Sequence, residues 1–179
     1  MGTRVVAALA IIGGAAFMVA TVMWVERPMD LAGPVGYWAV FASFIAFAAL
    51  AIAIWGLVSL FNERIGRPIA LVGAVGGLGS AMAALGALGA FLLLPIGSMA
   101  VALDLARHGA MGWTLTIAHT VTAFACVALV SVAIFTGSPI ASPLVYLILP
   151  YGLSWIGIGV ALVRGQSVID QPASSGSAA

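Results

Sequence analysis

One histidine of this chain lies inside an apolar run: His119, between Trp113 and Phe135. An imidazole exchanges a proton near neutral pH and is a common metal ligand. At helical spacing Thr116, His119, Thr120 and Cys126 share one broad face, with Thr122 at its edge. An ionisable group at such depth faces a protein interior or a wet cavity and counts as a candidate functional site. The plainer reading is a neutral ring bonded to a threonine or a backbone carbonyl of the next helix, which satisfies both nitrogens.

A second polar group precedes it. Asp104, Arg107 and His108 fall at i, i+3 and i+4, one face of a short helix. With Thr116, His119 and Thr120 they make the candidate polar site, a vestibule to which Glu26, Arg27 and Asp30 could contribute. Haem held by a histidine pair would need His108 and His119. On one helix these differ by ~16 Å in height, too far for two axial ligands of one iron. No catalytic, cofactor-binding or metal-binding residue is assigned. Gly-x-Ser-x-Gly and His-Glu-x-x-His motifs are missing from the sequence. The glycines from Gly73 to Gly79 follow no strand signal and lead to no Lys-Ser/Thr, so they do not form a phosphate loop. A single cysteine, Cys126, excludes an intrachain disulfide.

The elements that carry these residues follow from composition. Only 6% of the 179 residues are charged and 64% are hydrophobic. A soluble domain carries about 25% charged residues, enough to solvate a closed surface. The expected solvent here is a lipid bilayer, and the expected location is the cell membrane, crossed several times. The net charge of +1 offers no basic stripe for a nucleic acid.

A helix needs ~20 apolar residues to cross the hydrocarbon core. The expected fold is all-α, an integral membrane helical bundle with five spans: 5–25, 37–61, 69–94, 113–135 and 143–163. Continuous rather than alternating apolarity argues against strands. Ser142-Pro143 reads as a helix start, and Pro150 as a kink inside the fifth span. The uncharged run from Ile69 to Leu103 is long for one span and short for two. Division at Pro95 gives a tilted third span and a short interfacial helix from Ser98 to Gly109. A re-entrant loop over 95–112 is the alternative. Residues 165–179, ending in Ser, Gly and Ala, read as a disordered tail. With five spans, Arg4, Arg64 and Arg67 lie on one side and Arg27, Arg107 and Arg164 on the other. Arg4 and the Arg64/Arg67 pair favour a cytoplasmic N-terminus.

Within the third span Gly73, Gly77, Ser80, Ala84 and Ala87 step by four and three along one helical face. Gly76, Gly79, Ala83, Gly86 and Ala90 form a second small stripe beside it. Small residues let helix backbones approach, which drives association where lipid removes the hydrophobic force. These stripes mark either packing within the chain or an interface with a membrane protein partner or a second copy. The leading functional expectation is a non-catalytic accessory or scaffold subunit. A small transporter or channel-like protein with a polar site around His119 is the alternative.

Overall fold

The computed structural model describes residues 1–26, 34–62, 65–136, 144 and 146–169. Six helices hold most of them: α1 (Thr3–Glu26), α2 (Pro34–Leu60), α3 (Arg67–Ala84), α4 (Leu93–Arg107), α5 (Trp113–Thr136) and α6 (Leu149–Ile169). Short 3-10 segments, Leu88–Leu92 and Tyr146–Ile148, lead into α4 and α6. Among the described residues no strand occurs. The fold is an all-α bundle, and six helices, α4 and α6 taken with their lead-ins, are long and apolar enough to cross a membrane.

The expected count of five is therefore corrected to six. The run from Ile69 to Leu103 does not break at Pro95 into a span and an interfacial helix. It turns back at Gly86. The chain finds room for two helices by starting α3 at Arg67 and continuing α4 to Arg107, and by spending almost nothing on the turn. Gly86 holds φ +94°, a left-handed conformation that costs glycine least. Its N–H bonds Ala83 O at 3.0 Å, and the Ala87 N–H bonds Met82 O at 2.9 Å. This pair of reverse bonds satisfies the last carbonyls of α3 and reverses the chain at once. Gly109, at φ +70°, ends α4 in the same way, with Gly109 N–H to Ala106 O and Ala110 N–H to Leu105 O.

Pro95 sits in the first turn of α4, where a missing N–H removes no bond the helix needs. Pro150 likewise stands second in α6 and opens that helix instead of kinking it. α6 continues to Ile169, so the first part of the expected tail is helical. Residues 170–179 and the expected start at Ser142-Pro143 lie outside the described residues.

Each helix packs mainly on its neighbours in sequence, and α6 closes the series against α1. The result is a ring of six helices, consecutive members running antiparallel as short connections require. Phe17, Leu50, Ile54, Leu94, Val101, Ala123, Tyr151 and Trp155 fill its interior. Two glycine seams bring backbones together. A Cβ on Gly76 of α3 would lie 2.6 Å from Gly97 Cα of α4, and one on Gly152 of α6 would lie 2.8 Å from Gly14 O of α1. Neither distance is compatible with a side chain, so the seams exist because the residues are glycine.

The stripes of α3 divide between its two neighbours. Gly73 packs against Val58 of α2 and Val101 of α4, and Gly77 packs against Trp55 of α2. Ser80 donates to Phe47 O of α2 at 2.7 Å. Gly76 and Gly79 face α4 and its lead-in, against Gly97 and Leu93. Both stripes are used within the chain. Ala84 is half-buried and lines a cavity described below.

Candidate functional site

His119 lies in the middle of this interior, fully buried. Two neighbouring helices, α4 and α6, supply its surroundings. Its Nδ1 is 2.8 Å from Ser154 Oγ of α6, and its Nε2 is 2.9 Å from Ser98 Oγ of α4. Tyr151 and Trp155 of α6 pack beside it, each with its ring centre 5.3 Å from the imidazole and 6.4 Å from the other. Tyr151, Ser154 and Trp155 share a face because their spacing of three and four residues matches the helical turn.

The hydroxyl bonds fix how the ring is used. Ser154 donates its only hydrogen to Tyr151 O at 2.7 Å, so its oxygen accepts from Nδ1–H. In the neutral ring Nε2 is then an acceptor and takes the hydrogen of Ser98. The Tyr151 hydroxyl, 2.9 Å from Ser98 Oγ, completes the chain as donor to that oxygen. Ser98 Oγ also lies 3.0 Å from Pro95 O, a second place for its hydrogen. One hydroxyl rotation thus lets Ser98 donate either to the imidazole Nε2 or to Pro95 O. The network joins α4, α5 and α6 and leaves no nitrogen of His119 free to ligate an iron.

The other candidate residues do not join His119. Thr116 is fully buried but bonds its own helix, donating to Gly112 O at 3.1 Å. Thr120 Oγ1 is buried with no hydrogen-bond partner among the described residues, as is Trp155 Nε1. Asp104, Arg107 and His108 gather at the far end of α4, six residues or more beyond Ser98, hence ~9 Å or more along the helix. Arg107 and His108 are exposed there, whereas Asp104 is buried. Among the described residues no group of three His, Cys, Asp or Glu side chains could hold a metal ion.

Asp104 has a local task that its spacing did not suggest. Its Oδ2 accepts the N–H of Gly66, 3.1 Å away, at the start of α3. Gly66 has no side chain with which to cap that helix. A carboxylate from α4 replaces the cap and sits at the positive end of the α3 dipole. His108 leans back on the same residue, with Nδ1 2.9 Å from Asp104 O. We expect Asp104→Ala to lower stability by about 1 kcal/mol, and Asp104→Asn by less, in unfolding titrations of the detergent-solubilised protein. An Ala variant as stable as the parent would remove the capping role.

Sequence reasoning missed Ser98, Tyr151 and Ser154. The available signal was weak: they are among the few hydroxyl residues within the apolar runs, and nothing in their spacing points to His119.

Fold and site together define a class, an all-α bundle of membrane-length helices pinned inside by a histidine–serine–tyrosine network. Compared with known proteins, the chain matches no family model, no curated sequence and no solved structure.

Proposed function

We propose that this is a multi-pass protein of the cell membrane that serves as a non-catalytic accessory or scaffold subunit, packing against a membrane protein partner. The observation that carries the reading is the enclosure of His119. The one histidine within the spans is fully buried and has both nitrogens bonded to serines of two neighbouring helices. It holds the bundle together, and a transport role would need a wet polar path that this packing does not favour.

The Arg pattern supports an orientation. Six crossings return both termini to one side and gather Arg4, Arg64, Arg67, Arg107 and Arg164 there, leaving Arg27 opposite. Five against one is a strong bias where five spans gave three against three, and it favours cytoplasmic termini.

The surface on offer to a partner is α5. Only 22% of its span is buried, against 44% or more in α1, α2, α4 and α6. Trp113, Ile117, Val121 and Phe124 project from it as an exposed apolar stripe at steps of four, four and three. Such a stripe suits helix-on-helix packing. Extraction from native membranes in mild detergent should recover a partner with the chain, and Phe124→Ala with Val121→Ala should weaken that association while leaving the bundle's melting unchanged. Recovery of a lone, monodisperse monomer from native membranes would defeat the proposal.

A further inference from the structure

A cavity of about 560 Å³ opens in the half of the bundle away from the termini, between α1, α2, the α3–α4 turn and the lead-in to α6. That volume is within the ~300–1,000 Å³ usual for ligand sites. Its lining is almost wholly apolar and includes Phe44, Phe47, Ala83, Phe91 and Ile148. Three polar side chains reach it, and each already has its hydrogen placed. Thr21 donates to Phe17 O at 2.8 Å, Ser43 to Ala39 O at 2.8 Å, and the Trp24 indole to Ser43 Oγ at 3.1 Å. Among the described residues the cavity therefore offers no spare side-chain donor to a polar ligand and selects by shape and apolarity.

Its form is that of a slot. The floor is an aromatic cluster in which Phe17 stacks on Phe91 at 6.1 Å and Phe47 meets both edge-on. Trp24 stands seven residues above Phe17 on α1, hence ~10 Å higher, near the end of that helix. Indole rings favour the headgroup boundary. The lip includes Val40 and Phe44, exposed on the outer apolar face of α2. A slot that runs from the headgroup level into the hydrocarbon region and opens sideways meets lipid tails first.

We propose that this cavity binds one acyl chain of a membrane phospholipid, which enters between α1, α2 and the α3–α4 turn. The inference rests on the reading that these helices cross a membrane. The described end of α6 lies at the opposite side of the bundle from this slot, and the sequence beyond it is rich in Ser, Gly and Ala, a composition unlike that of an apolar plug. An acyl chain asks for no hydrogen bond and offers methylene groups along its length to the ring faces. In lipid it is held by van der Waals fit, since no hydrophobic drive separates it from its neighbours.

The test is photolabelling of the full chain in phosphatidylcholine vesicles that carry a diazirine midway along one acyl chain, with the labelled residues mapped by mass spectrometry. Phe47, Ala83 and Phe91 should label about tenfold more than Phe124 on the outer face of α5. Ala83→Trp, or Ala84→Phe if the first variant does not fold, should fill the slot and lower labelling at Phe47 and Phe91 about tenfold with Phe124 unchanged. Labelling at Phe124 without enrichment in the cavity overturns the site while leaving the membrane reading intact. No labelling at either place overturns both. Enrichment with a diazirine fatty acid but not with the phospholipid also overturns the proposal, because it makes the occupant a free acid.

Discussion

Replacing His119 by alanine is expected to destabilise the bundle by about 2–4 kcal/mol, and replacing it by leucine by only about 1 kcal/mol. The difference separates two contributions of the ring. Alanine removes two hydrogen bonds and also opens a cavity against Tyr151 and Trp155, whose ring centres each lie 5.3 Å from the imidazole. Leucine removes the same bonds but restores most of the volume. Side-chain hydrogen bonds between membrane helices average ~0.6 kcal/mol, so packing, not bonding, should dominate the loss. The serines soften the change further. Ser154 keeps its bond to Tyr151 O, and Ser98 keeps Tyr151 and Pro95 O as partners. Unfolding by titration with a denaturing detergent, monitored by Trp fluorescence, measures both variants. Leucine and alanine variants of equal stability would show that the bonds, not the volume, hold α4, α5 and α6 together.

The second large effect is expected at the α3–α4 seam. Gly76→Ala should cost about 1–3 kcal/mol, because its Cβ would lie 2.6 Å from Gly97 Cα and 3.0 Å from Leu93 O. Backbone atoms cannot rotate away, so the helices must part along the whole seam. Gly89→Ala is the matching control: nothing lies within 4 Å of its added Cβ, and it should be neutral or slightly stabilising. The double variant Gly76→Ala with Gly97→Ala tests the mechanism. Once the first methyl group has separated the helices the second meets less resistance, so the joint loss should fall short of the sum. Strict additivity would mean that each site is crowded by something other than the opposite glycine.

Continuous apolarity made the helices and their approximate ends legible from the sequence. Their number was not, and the reason lies at Gly86. A turn exposed to water normally announces itself with polar residues, but here the reversal takes only Leu85 to Ala87 and is closed by its own backbone bonds. The required glycine is hidden among the packing glycines of the same run, where it passes for one more member of a small-residue stripe. Of the two uses weighed for those stripes, packing within the chain is the one the folded-back α4 and α2 take up. His119 was legible as a buried group because its type is so rare in such runs. Its partners were not, because they come from helices whose rotation about their own axes no local pattern specifies. Spacing puts Asp104 on one polar face with Arg107 and His108, and spacing alone does not reveal that the start of α3 lies beside the end of α4.

The closure of α6 against α1 also orders events during synthesis. Every other major contact in the ring joins helices made one after the other, so it forms as soon as the second of each pair emerges. The seam at Gly14 and Gly152 joins the first helix to the last. At the usual rate of translation α1 waits on the order of ten seconds for that partner. During this interval its glycine face is bare and Tyr151, Ser154 and Trp155 have not been made, so His119 has neither its α6 serine nor its aromatic walls. Until α6 arrives the nascent chain is an open arc with two free edges.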